Sequence, residues 1–259
     1  GTEVEVDAVA DGEEVLIGGI MEHVERAGVH SGDSIAVYPA RHLPYPVRQQ
    51  ILDYTTRLAL ALRVRGLVNI QYAVHDDQVY VLEVNPRASR TVPFLSKAAG
   101  LPLARIAARV MLGRSLRELG LRGGLWPEPP RVAVKAPVFS WQKLAMVDVS
   151  LSPEMKSTGE VMGWDVDFPR AFYKALVAAG LRVPRRGTVL FTVADEDKPE
   201  AMPLAAEFAA LGFRILATAG TASALEACKV PAVRVNKVKE GSPNVVDVIR
   251  AGRVDLVVN

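Results

Sequence analysis

Strands and helices alternate regularly through the last part of the chain, and this alternation constrains the fold more than any other feature. The predicted elements are strands at 189–193, 214–217, 232–235 and 254–259, and helices at 199–211, 222–229 and 245–250. Parallel strands need a crossover connection, which is usually a helix. The pattern therefore predicts a parallel sheet with helices on both faces, in a domain that follows a linker at Arg182–Gly187.

The N-terminal part opens with a predicted hairpin. In Glu3–Ala10, apolar residues alternate with the acidic residues Glu3, Glu5 and Asp7, which share one face of the strand. Asp11-Gly12 forms a turn into a second strand, Glu14–Ile20. The acidic face is either solvated or forms the wall of a ligand site, and the sequence leaves both interpretations open.

The remaining elements of this part alternate between helix and hairpin. A helix is predicted over Pro46–Arg65, ended by Gly66, with an apolar face at Val47, Ile51, Tyr54, Leu58 and Leu62. A second hairpin joins Leu67–Val74 to Gln78–Asn85, and another helix ends at Met111. The proline-rich stretch Gly123–Pro137 is predicted to be a connector.

Composition narrows the class of protein. Of 259 residues, 49% are apolar and 6% aromatic, which suits an α/β core. The net charge is +2 and the only basic block is Arg182–Arg186, so no nucleic-acid partner is predicted. A lone Cys228 indicates a reducing, cytoplasmic compartment, and no apolar run is long enough for a membrane span. Both ends resemble interior strands of a longer polypeptide.

The strand Tyr80–Asn85 carries a candidate magnesium site. Glu83 and Asn85 are two residues apart, so both face the same side of the strand. Oxygen atoms of this kind are the ligands that magnesium prefers. Gln71, on the preceding strand, joins them only if the hairpin loop holds an odd number of residues, such as Asp76–Gln78. The alternative interpretation is a strand end with a surface ion pair.

Two further features point to a phosphate ligand. Pro86 ends the strand, and Arg87 and Arg90 follow as charge-assisted phosphate donors. His30 lies in the glycine-flanked loop Gly28–Ser34, where the backbone is expected to approach a ligand. The alternative for His30 is a buried histidine with satisfied hydrogen bonds.

The second domain has a candidate anion site at the carboxyl edge of its sheet. Thr218–Ala222 joins a strand end to a helix start, where free N–H groups bind anions. Lys198 and Lys237 each follow a strand of the same sheet and fall at the same edge. A simple helix cap is the alternative. The absence of a neighbouring general base from the sequence pattern favours sensing over catalysis.

Four runs resemble the large chain of carbamoyl-phosphate synthetase: Val15–His23, Gly28–Ser34, Leu82–Phe94 and Ser157–Gly163. The resemblance covers essentially the whole chain. It implies an α/β fold, with residues 1–183 forming a partial ATP-grasp domain of α+β type with a connector. Residues 187–259 would form a Rossmann-like, methylglyoxal synthase-like allosteric domain that lacks its C-terminal end.

The resemblance also implies roles for residues of the first domain. The intact enzyme would phosphorylate carbamate with ATP to give carbamoyl phosphate for pyrimidine and arginine biosynthesis. Magnesium or manganese would bind Gln71, Glu83 and Asn85, and the phosphoryl group would be stabilised by Arg87, Arg90 and Asn85. Nucleotide contacts would come from Glu3, His30, Ser31, Gln71 and Glu83. A potassium ion would lie at His23, Val29 and Ser34.

In the second domain, the resemblance assigns a nucleotide effector of the UMP or IMP type to Lys198, Thr218, Thr221, Lys237 and Asn259. Ala136 replaces an acid of the family's ornithine cluster, although Glu25 and Asp33 remain, so ornithine activation is not expected. The resemblance further implies a small glutamine amidotransferase subunit as partner and an oligomeric parent.

Two other hypotheses stay open. The isolated chain is a non-catalytic regulatory or interaction module, or it derives from a different ATP-grasp ligase. The glycine-rich lid and nucleotide-binding lysine of an ATP-grasp enzyme would lie upstream of Gly1, so the chain on its own is expected to be inactive.

Overall fold

A computed structural model describes residues 1–140 and 150–259 of the chain. The chain divides into two compact units, Gly1–Leu181 and Arg182–Asn259. Each has its own sheet and its own apolar core.

The first unit is built on a largely antiparallel sheet with the order β5-β4-β1-β2-β3-β7-β8, and β6 pairs with β2. Its strands are β1 (Thr2–Ala10), β2 (Val15–Arg26), β3 (Ala36–Tyr38), β4 (Gly66–His75), β5 (Gln78–Asn85), β6 (Gly124–Leu125), β7 (Val132–Val138) and β8 (Gly159–Asp165). Its helices are α1 (Tyr45–Ala61), α2 (Val92–Ala99), α3 (Leu103–Met111) and α4 (Phe168–Ala178).

The central strand β1 is covered on both faces. Val4, Val6 and Ala8 pack in one core with residues of α1. Val9 faces the opposite side, where it packs in a second core with residues of α2 and α3. Burying a valine or leucine side chain stabilises a fold by about 1.5–3 kcal/mol. The two cores therefore hold β1 firmly, and the acidic residues of β1 share the face that carries Val9.

The hairpin of β4 and β5 brings Gln71 and Glu83 together by a route different from the predicted one. Its turn contains only Asp76 and Asp77, both with left-handed φ, 49° and 59°, as in a type I′ turn. An even-numbered turn alone would place Gln71 opposite Leu82. The ladder shifts by one residue before Gln71, and this β-bulge pairs Gln71 with Glu83. The predicted odd-numbered loop is wrong, whereas the pairing that it was meant to explain is observed.

Helix α1 also differs from its prediction. Pro46 fits its first turn, where no backbone N–H is required. The helix ends at Ala61 rather than Arg65, because Arg63 adopts a left-handed φ of 50°. Its buried residues are Val47, Ile51, Thr55 and Ala59, whereas Leu62 of the predicted face is exposed. Thr55 belongs to the buried face because its hydroxyl hydrogen-bonds the Tyr72 hydroxyl at 2.8 Å.

The prediction of a connector at Gly123–Pro137 is wrong. Strand β6 lies within this stretch, and β7 begins there and pairs antiparallel with both β3 and β8. Prolines and Lys135 break the apolar alternation that marks a strand, which hides β7 in the sequence. Helix α4 packs on β7 and β8, and it approaches Gly163 so closely that a Cβ there would lie 1.9 Å from the Ala171 carbonyl oxygen.

The second unit is a parallel sheet with the order β11-β10-β9-β12, as the sequence predicts. Its elements are β9 (Thr188–Phe191), α5 (Lys198–Ala210), β10 (Arg214–Thr218), α6 (Ala219–Ala227), β11 (Val233–Val235), α7 (Val245–Arg250) and β12 (Leu256–Val258). Val189 and Phe191 pack against α5 and α6, whereas Leu190 faces α7. Helices therefore cover both faces, which confirms the predicted architecture.

None of the helices within residues 1–140 and 150–259 combines the length and the apolar character that a bilayer crossing requires. The 17-residue α1 illustrates this, since it carries Arg48, Asp53 and Arg57.

Candidate functional site

The first unit contains a cavity of about 480 Å³ on the acidic side of β1. It is lined by residues of β1, β4 and β5, by the loop Gly28–Gly32 and by the segment Pro153–Glu160. Many residues singled out in the sequence meet here: Glu3, Val29, His30, Ser31, Gln71, Glu83, Arg87 and Arg90. The remaining predicted residues of this unit, His23, Ser34 and Asn85, lie on the adjoining elements.

The predicted magnesium ligands converge at one side of the cavity. Gln71 pairs directly with Glu83, and Asn69 pairs with Asn85. Directly opposed residues of antiparallel strands have Cβ atoms about 4.5–5.5 Å apart. Asn85 and Glu83 also hydrogen-bond each other through their side chains. The bulge in β5 therefore gathers one carboxylate and two amides on the face that borders the cavity.

A hard divalent cation fits these side chains. Gln71 Nε2 donates to Ser31 Oγ at 3.1 Å, and Asn85 Nδ2 donates to Glu83. Within the described parts of the chain, no hydrogen bond occupies Gln71 Oε1, Asn85 Oδ1 or Glu83 Oε2. Residues 1–140 and 150–259 also contain no metal-binding group of three or more His, Cys, Asp or Glu residues. Magnesium here would thus rely on few protein oxygens, with phosphate and water completing its coordination.

Both predicted arginines reach the cavity. Arg87 is exposed, and its Nη2 lies 4.0 Å from Glu83 Oε1. Arg90 crosses to the opposite wall, where Nη1 donates to Ser157 Oγ at 3.1 Å and Nε lies 3.6 Å from Glu160 Oε1. A negatively charged group in the cavity would therefore have guanidinium donors on two sides.

The loop that follows β2 holds His30 and Ser31 against the site. His30 Nδ1 accepts the Gly32 N–H at 3.0 Å, and this hydrogen bond turns the chain tightly. A Cβ on Gly32 would lie 2.9 Å from Met155 Sδ and 3.3 Å from Arg90 Nη1, so glycine permits the close approach. His30 is thus hydrogen-bonded and also lines the cavity, and the two interpretations of this residue are compatible.

A buried ion-pair network lies behind the cavity. The His23 ring sits between Glu3 and Glu5, with Nδ1 3.5 Å from Glu3 Oε2 and Nε2 3.6 Å from Glu5 Oε2. Burial opposes the charged form of His23, but the two carboxylates outweigh it and raise the pKa of His23 above its ordinary value. Glu3, Glu5 and Asp7 are all buried, so the solvated interpretation of this strand face is wrong.

The residues of the potassium prediction lie near several oxygen atoms. Val29 and Ser34 lie in the loop beside Glu3, whose Oε1 accepts the Gly28 N–H at 2.9 Å. Among the described residues, the buried Glu5 Oε2 has no hydrogen-bond partner. Such oxygens fit a cation. Both ring nitrogens of His23 face carboxylates, so the imidazole is not placed to bind a cation. Potassium therefore remains a prediction that would depend on carboxylate, hydroxyl and carbonyl oxygens.

The residues of the expected ornithine cluster have structural partners. Asp33 accepts the backbone N–H groups of Lys156 and Ser157, each at 2.8 Å. Burial opposes ionisation of Asp33, but these hydrogen bonds prevail and lower its pKa. Glu25 accepts the Ile35 N–H at 2.7 Å. Ala136 packs in the apolar core between β7 and α4, so this position brings no carboxylate to the cluster.

Several residues at the cavity were not recognised as site residues from sequence. Lys135 is fully buried, and its Nζ donates to the Ser31 carbonyl at 2.9 Å and lies 3.7 Å from Glu160 Oε1. Asn69 bridges Glu5 and Asp7 through its amide. The one feature of the sequence that could have indicated the role of Lys135 is that this lysine interrupts the apolar run of β7.

In the second unit, the predicted anion residues lie at the carboxyl edge of the sheet. Thr218 directly precedes α6 but makes no side-chain capping hydrogen bond, and its hydroxyl lies 3.4 Å from that of Thr221; both residues are buried. Lys198 Nζ would be 3.3 Å from a Cβ on Gly220, so its ammonium lies over the first turn of α6. A hydrogen bond from Lys198 lowers the pKa of Asp195, and the charge of Lys237 adds to this effect. Asn259 follows β12 at the same edge.

Two family profiles match the chain. The profile of the carbamoyl-phosphate synthase L chain ATP-binding domain matches residues 2–119, and that of the MGS-like domain matches residues 200–259. The chain matches a C-terminal portion of a carbamoyl-phosphate synthase large chain. The predicted resemblance is thereby confirmed, and the two profiles fall on the two structural units.

Solved structures similar to the chain share its ATP-grasp architecture. The biotin carboxylase domain of a single-chain bacterial carboxylase has a TM-score of 0.52 and 22% identity, covering 69% of this chain and 46% of its own. The K. lactis urea amidolyase has a TM-score of 0.53 and 18% identity, covering 68% of this chain and 12% of its own. At these identities the similarity concerns the fold. The chain spans less than half the length of these relatives.

Proposed function

We propose that the first unit binds a nucleotide with magnesium or manganese and, within an intact large chain, helps to transfer the γ-phosphoryl group of ATP to carbamate. The observation that carries this proposal is the convergence of Gln71 and Glu83 with two arginines at one cavity, where Asn85 adjoins the site by its hydrogen bond to Glu83. One face thus offers oxygen ligands for a cation, and its surroundings offer donors for phosphate.

The side chains divide the work of phosphoryl transfer. Gln71, Glu83 and Asn85 would hold the divalent ion, which neutralises phosphate charge and orients the phosphates. Arg87 and Arg90 would then stabilise the charge on the transferred group from two sides of the cavity. A carbamate oxygen attacks the γ-phosphorus in line, the bond to the bridging oxygen breaks, and ADP leaves with that oxygen.

The intact protein would be an ATP-dependent ligase that supplies carbamoyl phosphate for pyrimidine and arginine synthesis in the cytoplasm. It would receive ammonia from a small glutamine amidotransferase subunit and would be oligomeric. Potassium would assist near Val29 and Ser34, and Glu3 and His30 would contact the nucleotide. The ATP-dependent ligase activity is supported by the carbamoyl-phosphate synthase profile together with the cavity, whereas the pathways, partner, oligomer, compartment and potassium follow from the resemblance alone.

The second unit is proposed to sense a nucleotide effector of the UMP or IMP type. The Lys198 ammonium, which is paired with Asp195, lies over the N-terminal turn of α6, so two groups that attract anions meet at this point. Thr218 and Thr221 contribute buried hydroxyls beside it. A phosphate placed between Lys198 and the α6 N-terminus would satisfy both groups.

A different ATP-grasp ligase is the main alternative for the first unit. The similar solved structures include carboxylases, which favours this alternative as far as the fold alone is concerned. The carbamoyl-phosphate synthase assignment is favoured by the MGS-like profile at residues 200–259, because this assignment accounts for the second unit as well as the first. A purely regulatory role for the isolated chain is the other alternative, and turnover assays with ATP, bicarbonate and ammonia distinguish it.

The metal assignment can be tested with manganese and ADP. Electron paramagnetic resonance would follow Mn²⁺ binding to the chain in the presence of ADP. Glu83→Gln should weaken binding at least about ten-fold, since even residues behind the ligands alter metal affinity 10–100-fold. Asp53→Asn removes the same charge from an exposed position on α1 and should leave affinity unchanged. Equal affinities for Glu83→Gln and wild type would refute the assignment.

The sensing proposal can be tested by calorimetry with UMP and IMP. Lys237→Ala should weaken binding of the nucleotide that gives a signal, whereas Arg214→Ala, at the amino-terminal end of β10, should not. No heat with either nucleotide in a folded chain would remove the proposal. An unchanged affinity for Lys237→Ala would show that the site lies elsewhere.

A further inference from the structure

Asp7 is a buried carboxylate that accepts hydrogen bonds from the hydroxyls of Ser89 and Thr91, in the loop 86–91 that carries Arg90. It lies in the middle of β1 and has no exposed surface. Its Oδ1 accepts the Ser89 hydroxyl at 2.7 Å, and its Oδ2 accepts the Thr91 hydroxyl at 2.6 Å. Hydrogen bonds to an ionised acceptor are about twice as strong as neutral ones. Both oxygens of one carboxylate therefore hold the same loop.

The two hydroxyls belong to the residues on either side of Arg90. At its start, the loop is tied by the Arg87 N–H to the Asn85 carbonyl at 2.8 Å, and at its end the Leu95 N–H bonds the Thr91 carbonyl. Between these points, the contacts with the sheet in the described residues come from side chains. The backbone of Arg90 is thus fixed through its two neighbours and Asp7.

The orientation of Asp7 is itself fixed from the other side. Asn69, on β4, donates to Asp7 Oδ1 at 2.9 Å and to Glu5 Oε1 at 2.7 Å. This amide bridges two carboxylates that lie on the same face of β1 and would otherwise repel each other. The chain of contacts runs from the sheet through Asp7 to the residues that flank Arg90.

We propose that Asp7 is a positioning residue for Arg90, holding its backbone so that the guanidinium reaches the phosphoryl group in the cavity. Asp7 does not itself line the cavity, and it acts only through Ser89 and Thr91. The proposal rests on the function proposed above for Arg90. It adds a residue whose carboxylate sets the position of that arginine without touching substrate.

Thr91 offers one perturbation, which also removes its hydroxyl contact with Glu5 Oε1 at 3.2 Å. It is buried, and its side chain makes no helix-capping hydrogen bond although it precedes α2. Thr91→Val keeps the shape and removes the hydroxyl, whereas Thr91→Ser keeps the hydroxyl. Asp7→Asn removes the charged acceptor and serves as a second variant. All three would be made in the full chain.

Hydrogen exchange measured by mass spectrometry would compare the segment 86–95, which includes the hydrogen-bonded N–H groups of Arg87 and Leu95, among the variants. Thr91→Val and Asp7→Asn should speed exchange there about ten-fold, as expected when a hydrogen bond to a charged group is lost, and should leave β2 unchanged. Thr91→Ser should stay within about two-fold of wild type. Equal exchange in Thr91→Val and wild type would overturn the proposal.

Nucleotide binding separates positioning from a general loss of structure. Calorimetry would compare MgADP alone with MgADP plus beryllium fluoride, which imitates the phosphoryl group. Asp7→Asn, which lies outside the cavity, and Thr91→Val should each weaken the fluoride complex about ten-fold and ADP alone less than two-fold, because only the former needs Arg90. Equal weakening of both would overturn the positioning role. If wild type binds no ADP, the proposed function fails, and the exchange comparison alone decides whether Asp7 holds the loop.

Discussion

Asp7 makes a specific contribution to the pH dependence of stability. Burial raises the pKa of its carboxyl from 3.8 to about 6, and the negative charge of Glu5 on the same strand face adds to the rise. Hydrogen bonds from Thr91, Ser89 and Asn69 favour the ionised form but do not cancel this effect. Asp7→Asn removes the titrating group and keeps a side chain of nearly the same shape.

The sign of the effect follows from proton binding. Between pH 3.8 and about 6 the folded state keeps the Asp7 proton while the unfolded state has lost it. The stabilisation from this group is complete below pH 3.8 and disappears as the pH rises through about 6. A difference of about two pKa units corresponds to roughly 3 kcal/mol. Wild type should therefore lose roughly 3 kcal/mol relative to Asp7→Asn across this interval.

Urea unfolding between pH 4 and 7.5, followed by tryptophan fluorescence, would measure this difference. All three tryptophans, Trp126, Trp141 and Trp164, precede Leu181, so the signal reports on the first unit. Carboxylates with lowered pKa values, such as Glu5, act in the opposite direction but are present in both proteins. The difference between wild type and Asp7→Asn therefore reports the titration of Asp7 together with its electrostatic interaction with Glu5.

Asp53→Asn is the matched control, because Asp53 is an exposed carboxylate in an ion pair on α1. Its stability should follow wild type at every pH. The absolute stability of Asp7→Asn at one pH decides nothing, because the substitution also alters hydrogen bonds. A constant difference between wild type and Asp7→Asn from pH 4 to 7 would refute the reasoning.

Two further substitutions test the packing of each unit. Gly163→Ala should destabilise the first unit by at least about 3 kcal/mol in urea unfolding, because its Cβ would lie 1.9 Å from a backbone oxygen of α4. Gly159→Ala, in the same strand but 3.7 Å from its nearest neighbour, is the control, and equal effects would contradict the packing described. In the second unit, Asn244 caps α7 by accepting the Val246 and Asp247 N–H groups. Asn244→Ala should cost about 1 kcal/mol in thermal unfolding, Asn244→Asp much less, and equal losses would exclude capping as the cause.

The second unit could be predicted from sequence because its pattern is local. Strands β9, β10 and β11 are each followed by a helix before the next strand, so alternation alone specifies a parallel sheet. The first unit depends on distant pairing. Strand β7 begins at Val132 but lies beside β3, which begins at Ala36, and no local pattern reveals that partner.

Burial of charge could not be predicted from periodicity either. Glu5 and Asp7 alternate with apolar residues as a solvated face would, and only the contacts with His23 and Asn69 explain why they are buried. Lys135 is likewise buried because the Ser31 carbonyl, far away in sequence, accepts its hydrogen bond. Local patterns located the candidate ligands, whereas the network behind them depends on long-range contacts.

The bulge in β5 has a consequence for how this hairpin can change during evolution. Gln71 lies opposite Glu83 because the number of residues between them is odd. It does not matter how those residues are divided between the turn and the strands. A residue gained in the Asp76-Asp77 turn and one lost at the bulge would compensate each other. Insertions and deletions in this hairpin should therefore survive as balanced pairs, and homologous chains with different turns can present the same ligand set.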